Sequence, residues 1–319
     1  MKAFEKKILV TGATGKVGRA FISAFFGDPK QKGTIRALCH HRSLTPNNRL
    51  EVIHGSISDM ATVQKAMKDI THVVHLATTK EDPETIMDVA IKGLFWLLES
   101  CRNASGFKRF ILIGGDASVG HYFYPYKSPI NEQQTHSAYP GCYALSKVLE
   151  ETMLQQYYVQ YNLDGTCLRA PWIMQGEDLK KHLSFGKQVL GVPEWHKMIK
   201  AQTALEYQKA NIIPLMLDIN GNPMKRNIVH LNDLVSAICI SLDHIEAKQQ
   251  TFNISMDEPF NYRKAADYLL KTCKIKSVKM ETKYHSTWLD NTKAKFLLGW
   301  RPEYGLEQMI DEAWENISL

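Results

Sequence analysis

Along the first 170 residues, short apolar runs alternate with stretches whose apolar side chains recur every three or four positions. The runs are 7–12 (KILVTG), 34–40 (TIRALCH), 50–56 (LEVIHGS), 72–78 (HVVHLAT) and 109–115 (RFILIGG). They are apolar at successive positions rather than at every second one. That suits strands covered on both faces, as in a parallel sheet. After the first run, Val17, Ala20, Phe21, Ala24 and Phe25 share one face of a helix that stops at Gly27-Asp28-Pro29. A second helical pattern starts near Pro83 and carries IMDVAIKGLFWLLESC. A third runs from about Gly141 through YALSKVLEETMLQQYYVQYN, and one more strand, 165–171 (GTCLRAP), follows it. Strand–helix alternation of this kind predicts an α/β fold with a doubly wound parallel sheet and right-handed crossovers.

Beyond Gln175 the pattern changes. Lys- and aromatic-rich helical stretches occupy roughly 177–210, and the short strand-like pieces IIPLML, RNIVHL and TFNIS follow between helices. We expect a sheet domain over 1–175 and a smaller lobe over 176–319, packed at the carboxyl end of the sheet. The chain is expected to cross back to the sheet near 226–255.

The totals restrict the function class. The 319 residues carry a net charge of +6, with basic residues scattered rather than massed. That argues against a dedicated nucleic-acid binder and leaves room for a pocket that takes an anionic small molecule. The six cysteines form no CxxC pair and no cluster with histidine at metal-ligand spacing. They read as reduced thiols of a cytoplasmic protein without a metal site. The opening MKAFEKKILV enters a strand directly, with no room for a signal peptide, and no apolar run approaches the ~20 residues that span a bilayer.

Two motifs carry chemistry. VTGATGKVG (10–18) joins the first strand to the first helix, with Gly12, Gly15 and Gly18 spaced GxxGxxG. Glycines there let the backbone approach a pyrophosphate, and the helix N-terminus offers it unpaired N–H groups. The second strand ends in LCHHRS, with no acid to accept from a ribose 2′-OH. His40 and Arg42 suit the 2′-phosphate of NADP, so NADP is favoured over NAD; a plain polar loop is the alternative. Tyr143 and Lys147 form YxxxK on the third helix and project from one face. A phenol with an ordinary pKa near ~10 needs a nearby cation to act as a base at neutral pH, and a lysine one turn on supplies it.

Together these segments resemble the extended short-chain dehydrogenase/reductases of the NAD(P)-dependent epimerase/dehydratase type. TGATGKVG is similar to that family's cofactor turn, HVVHLAT to its fourth strand, YALSK to its catalytic helix and CLRAPWI to the strand beside the nicotinamide. RNIVHLNDL resembles its RDFVHVDDV segment, and DNTKAKFLLGWRPEYGLEQMI its C-terminal signature. The resemblance covers nearly the whole chain. It implies a Rossmann-like domain, a small C-terminal substrate lobe, and hydride transfer between a nicotinamide and an oxygen-bearing carbon, often on a nucleotide sugar.

Carried over by position, Tyr143 exchanges a proton with the substrate oxygen. Lys147 lowers its pKa and holds the ribose. Gly12, Thr14, Gly15, Lys16 and Val17 wrap the pyrophosphate. Ser56, with Ile57, falls where the family has an adenine-contacting Asp; Asp59 stands three residues on. Leu76, Ala77 and Thr78 line the cofactor, and Pro171 and Trp172 flank the nicotinamide. Thr79, Lys80 and Arg226 are substrate candidates, Arg226 through a nucleotide phosphate or, equally, as an ordinary ion pair. The family's dimer contact implies a homodimer through the helices carrying VAIKGLFWLLESC and YALSKVLEETML; packing within the chain is the alternative for their apolar faces.

One stretch departs from the pattern. IGGDASVG falls without a gap on the family's ISSAAVYG and puts Gly115 where a Ser or Thr bonds the reacting oxygen. Asp116 coincides with a dehydratase acid, but Ala117 replaces the accompanying Glu. Asp116 is thus a catalytic candidate or a cap on its loop, and Ser118 replaces the missing hydroxyl if the loop turns it inward. The nearby Tyr122, Tyr124 and Tyr126 are pocket walls or packing. Two functions follow: an oxidoreductase or epimerase using Tyr143 and Lys147, or a catalytically silent NADP-binding sensor or scaffold.

Overall fold

A computed structural model describes residues 6–186 and 195–314. Six strands of the central sheet come from residues 6–170: β1 (Lys6–Thr11), β2 (Gly33–Cys39), β3 (Leu50–His54), β4 (His72–His75), β5 (Arg109–Gly115) and β6 (Gly165–Ala170). The seventh, β11 (Gln250–Asn253), arrives 80 residues later and pairs with β6. The order is β11-β6-β5-β4-β1-β2-β3, and every neighbouring pair is parallel. Each strand divides its side chains between two cores, as the two-residue period requires. Ile8, Val10, Val74, Ile111 and Leu168 enter one core, while Leu9, Val73, Phe110, Leu112 and Cys167 enter the other. That double burial is why the runs read as continuous rather than alternating.

Helices α1 (Lys16–Gly27) and α7 (Leu231–Ser241) cover the first face through Phe21, Phe25, Leu234 and Ile238. On the second face lie α2 (Met60–Met67), α3 (Gly93–Asn103) and α4 (Cys142–Tyr161). One wide helical turn, Met87–Lys92, leads into α3.

The smaller lobe has its own core. It gathers α5 (Gly176–His182), α8 (Tyr262–Cys273) and α10 (Leu306–Trp314) around β8 (Ile213–Leu217), which pairs with β13 (Ser277–Glu281). Helix α6 (Ala201–Lys209) adds a satellite cluster around Phe185 and Trp195. Two short pairings hinge the lobe to the sheet: β7 (Trp172–Met174) with β10 (Ile228–His230), and β9 (Lys225–Arg226) with β12 (Phe260–Asn261).

The C-terminal signature divides its residues between the two cores. Ala294 and Leu298 of α9 (Thr292–Leu298) and the following Trp300 are buried against the first face of the sheet. The Trp300 indole donates to the Asp233 carbonyl at 3.0 Å, and the Asp233 carboxylate accepts the Glu303 and Tyr304 amides. Met309 and Ile310 then enter the lobe's core. Among the described residues, no helix is long and apolar enough to cross a membrane, and no group of metal-ligand type is assembled. All six cysteines are free thiols.

Candidate active site

A cavity of about 1200 Å³ opens at the carboxyl end of the sheet, where the strand order reverses between β1 and β4. Open α/β sheets bind ligands at such a point. The β1–α1 turn forms its floor. Gly12 has φ +65°, and a Cβ there would stand 2.7 Å from the Leu76 carbonyl carbon and 2.8 Å from the Ala77 nitrogen. At Gly18 a Cβ would meet the Gly12 oxygen at 2.6 Å. Helix α1 starts at Gly15 with no side-chain cap, so its first N–H groups are left to a ligand. Gly12, Thr14, Gly15, Lys16 and Val17 all line this end. A glycine cradle under an uncapped helix fits the pyrophosphate of a dinucleotide. Lys16 behaves differently from its neighbours: its Nζ reaches across to Asp178 (2.7 Å) and the Ile173 carbonyl (2.9 Å), joining the turn to the smaller lobe.

The end of the cavity beyond β2 and β3 is ringed by Leu38, His40, His41, Arg42, Ser56 and Ile57. His40, His41 and Arg42 are exposed, and the two imidazole rings lie 3.8 Å apart. Asp59, by contrast, does not line the cavity; it caps α2 by accepting the Ala61 and Thr62 amides.

Behind the nicotinamide end stand two groups that sequence reasoning passed over. The Thr11 hydroxyl accepts the Leu76 and Ala77 amides and bonds His75 Nδ1 at 2.8 Å. Burial drives the His75 pKa down to about 3, with Lys147 adding to the effect, so the ring is neutral. The hydroxyl's own proton then goes to Nδ1, which leaves the proton on Nε2. That buried nitrogen has no partner among the described residues. Glu81 is the other: its carboxylate accepts the Cys142 amide (2.9 Å) and the Tyr143 amide (3.4 Å) at the N-terminus of α4. A carboxylate before a strand-to-helix entry was the available signal, but Glu81 lies some 60 positions from the helix it caps.

Helix α4 brings Tyr143 and Lys147 together on the cavity wall, with Lys147 Nζ 5.7 Å from the centre of the phenol ring. Burial pushes the Tyr143 pKa up. Lys147 opposes this, and Glu150, Asp116 and Glu81 reinforce it. The expected lowering by lysine is therefore present but outweighed. Lys147 also donates to Glu150 Oε2 at 2.7 Å and to the Ile113 carbonyl at 3.1 Å. Burial opposes its charge, yet Glu150 and Tyr143 hold its pKa above the ordinary lysine value.

The Gly114–Gly115 pair has two separate reasons. A Cβ at Gly114 would collide with Cys167 Sγ (2.8 Å) and Glu151 Oε1 (2.9 Å). Glu151 is fixed there by Arg169, at 2.7 Å, and by His136, at 3.1 Å. Burial opposes its charge, but those bonds depress its pKa to about 2. Around Gly115 there is space: the nearest atoms to a Cβ are the Ala170 oxygen at 3.6 Å and Lys147 Cδ at 3.9 Å. Ser118 does not fill it. Its hydroxyl turns inward to Glu151 Oε1 and the Gly115 oxygen, both at 2.9 Å.

Asp116 faces the cavity, and its carboxylate meets His121 Nδ1 at 2.5 Å. His121 sits at φ +49°, a left-handed conformation that folds its ring back over Asp116. Its other nitrogen, Nε2, lies 3.3 Å from Arg226 Nη2. A guanidinium only donates, so Nε2 accepts and the imidazole proton is on Nδ1, aimed at Asp116. Burial lowers the His121 pKa, though Asp116 opposes the shift, in keeping with a neutral ring. Asp116 is accordingly an acceptor toward His121, the reverse of what a dehydratase-type acid requires. Its side chain does not cap the loop backbone.

Arg226 is buried behind the wall instead of lining the cavity. Its guanidinium carbon lies 3.3 Å from the Trp172 ring centre and 4.2 Å from that of Tyr122. Leu76, Ala77, Thr78, Thr79, Lys80, Pro171 and Trp172 line the cavity, as do Tyr122, Tyr139 and His182. Tyr124 and Tyr126 are tied instead to the Ala138 and Val119 carbonyls.

A sheet with this switch point, a glycine cradle and an aligned tyrosine and lysine define a nucleotide-binding α/β enzyme class. The family model for the NAD dependent epimerase/dehydratase family matches residues 8–255. The chain belongs to that family, an enzyme family. A dTDP-4-dehydro-6-deoxyglucose reductase of Escherichia coli is 26% identical, over 99% of both chains. A UDP-glucose 4-epimerase of Lactobacillus helveticus is 22% identical, over 97% of this chain and 96% of its own. In fold, the chain is similar to a short-chain dehydrogenase/reductase superfamily protein from Agrobacterium tumefaciens with bound NAD. That likeness has a TM-score of 0.80 at 23% identity, over 96% of this chain and 95% of the other. A UDP-glucuronic acid 4-epimerase from Bacillus cereus, solved with UDP-glucuronic acid and NAD, gives a TM-score of 0.72 at 19% identity, over 98% of each chain.

Proposed function

We propose that the protein is an NAD(P)-dependent oxidoreductase or epimerase acting on a sugar, sugar nucleotide or similar hydroxy/keto compound. The observation that carries this reading is Tyr143 and Lys147, side by side on the wall of a cavity whose floor suits a dinucleotide pyrophosphate. When bound, the nicotinamide supplies hydride acceptance and donation. The chain's own residues supply the rest. Gly12 to Val17 hold the pyrophosphate, Leu76 to Thr78 and Pro171 to Trp172 flank the cofactor, and Lys147 takes a ribose hydroxyl. The Tyr143 oxygen exchanges a proton with the substrate's reacting oxygen, and Lys147 stabilises the phenolate while the proton is away. Asp116 accepts a hydrogen bond from a substrate hydroxyl. Thr79 and Lys80 meet the substrate at the mouth, while Arg226 acts from behind Trp172.

The exposed His40–Arg42 rim supports NADP, and the NAD bound in the two similar structures makes NAD the alternative. Exposed Phe95 on α3 and Leu145 and Val159 on α4 support a homodimer through that face. A second reading, a silent NADP sensor, draws on the vacant space at Gly115 and the raised Tyr143 pKa. The two readings separate in one experiment: nicotinamide absorbance followed with NAD⁺ and NADP⁺ against sugar nucleotides and free aldoses. Turnover supports the enzyme. Tight cofactor binding with no turnover across the panel supports the sensor.

A further inference from the structure

Glu150 lies one turn beyond Lys147 on the same face of α4, and no step above uses it. Its Oε2 is 2.7 Å from Lys147 Nζ, with both side chains buried. Its second oxygen, Oε1, is also buried and has no hydrogen-bond partner among the described residues. An i,i+3 pair on a helix surface contributes little, and a half-satisfied buried carboxylate is a cost to the fold. Packing therefore does not account for it. Nor does Glu150 share a partner with its neighbour, since Arg169 and His136 already bond Glu151.

The account closes when charges at the nicotinamide end are counted. Tyr143 is a neutral phenol and His75 a neutral imidazole, each by burial. Asp116 is bonded to His121, which in turn contacts Arg226. Glu81 is held by the Cys142 and Tyr143 amides at the N-terminus of α4. Lys147 and Glu150 remain, bonded at 2.7 Å; burial raises the Glu150 pKa, Lys147 opposes that shift, and the pair as a whole is neutral. Glu150 and the Ile113 carbonyl also take two of the three ammonium protons, leaving one for a ribose hydroxyl. An oxidised nicotinamide ring carries one positive charge and a reduced ring carries none. Beside an uncompensated lysine, the oxidised form would be repelled.

We propose that Glu150 is a positioning residue that sets the charge of the nicotinamide end and so favours the oxidised cofactor. The proposal rests on the reading that this cavity holds a nicotinamide dinucleotide beside Lys147. It predicts that Glu150→Gln and Glu150→Met weaken the oxidised cofactor relative to the reduced one. The expected change is about tenfold, the scale of one unit charge acting across roughly 10 Å of protein.

The test is to measure dissociation constants by fluorescence titration and calorimetry for NAD⁺, NADH, NADP⁺ and NADPH. Wild type and both variants are compared, with thermal melts confirming that the variants fold. A packing defect weakens both redox forms alike; the proposal requires their ratio to move, and to move the same way in both variants. A ratio within twofold of wild type in either folded variant overturns it. So does a wild-type protein that binds the reduced form more than tenfold tighter than the oxidised, a result that needs no variant. If no nicotinamide dinucleotide binds at all, the functional reading fails and the proposal with it.

Discussion

Two three-membered polar chains reach the cavity, one through Tyr143 and Lys147 and the other through Asp116 and His121, and they are built in opposite ways. Tyr143, Lys147 and Glu150 lie within two turns of one helix, and their mutual reach follows from helical spacing alone. Asp116, His121 and Arg226 come from a loop and from a strand 105 positions beyond it. Both chains hold a nitrogen base between opposite charges or polar groups. In the first, a cation is pinned between a phenol and a carboxylate. In the second, a neutral imidazole is pinned between a carboxylate and a guanidinium. The helical chain is suited to moving a proton at Tyr143. The second fixes an acceptor and stacks a cation on aromatic rings, which suits it to positioning a substrate.

The sharpest way to break this comparison is Tyr143→Phe. Turnover should fall by about a thousandfold or more, with cofactor affinity held, because general acid–base transfer contributes 10²–10⁴. Survival of the rate would assign the proton to another group. Next comes Asp116→Asn, which leaves His121 without its charged partner. The expected loss is about a hundredfold in turnover with unchanged cofactor affinity; a loss confined to thermal stability would reduce the second chain to loop architecture.

Acid tests the sheet behind the first chain, where β4 carries two buried neutral histidines. Burial lowers His75 to about 3 and His72, deeper in the same strand, to about 4. Their unfolded forms take up protons near pH 6.5 while the folded forms do not, so stability rises with pH across that window. The contribution is complete above about pH 6.5 and is lost as pH falls toward 4 and 3. By pH 5 each histidine should have forfeited about 2 kcal/mol. Urea midpoints at pH 7 and pH 5 measure this, and equal midpoints would contradict neutral burial.

The smallest expected effect is a gain. Gly115 has φ −161°, an extended conformation open to any residue, and a Cβ there meets nothing closer than 3.6 Å. Gly115→Ser should fold as wild type and raise turnover by about tenfold, by placing a donor beside the reacting oxygen. A Gly114→Ser control should instead destabilise, since its Cβ would strike Cys167 and Glu151.

Legibility in the sequence followed the range of the interactions. The sheet could be read because its strands are buried on both faces, and the glycine turn because φ +65° at Gly12 and close packing at Gly18 admit little else. YxxxK was visible because i and i+4 neighbours are adjacent on any helix. Glu150 was equally local, but nothing in a charged residue on an amphipathic helix distinguishes a buried partner from a solvated one. Asp59, three residues beyond Ser56 in sequence, serves as a helix cap in space, a role that only the fold shows.

The sequence by itself determined the strands and helices of the α/β sheet, the cofactor turn, and the pairing of Tyr143 with Lys147, because each is written in the pattern of neighbouring residues. Tertiary structure alone decided that Asp116 is held by His121, that Arg226 stacks behind Trp172, that Glu81 caps α4, and that Ser118 turns away from the cavity. Those contacts join residues up to 61 positions apart, and burial, which only the assembled fold creates, sets the charge that each group carries.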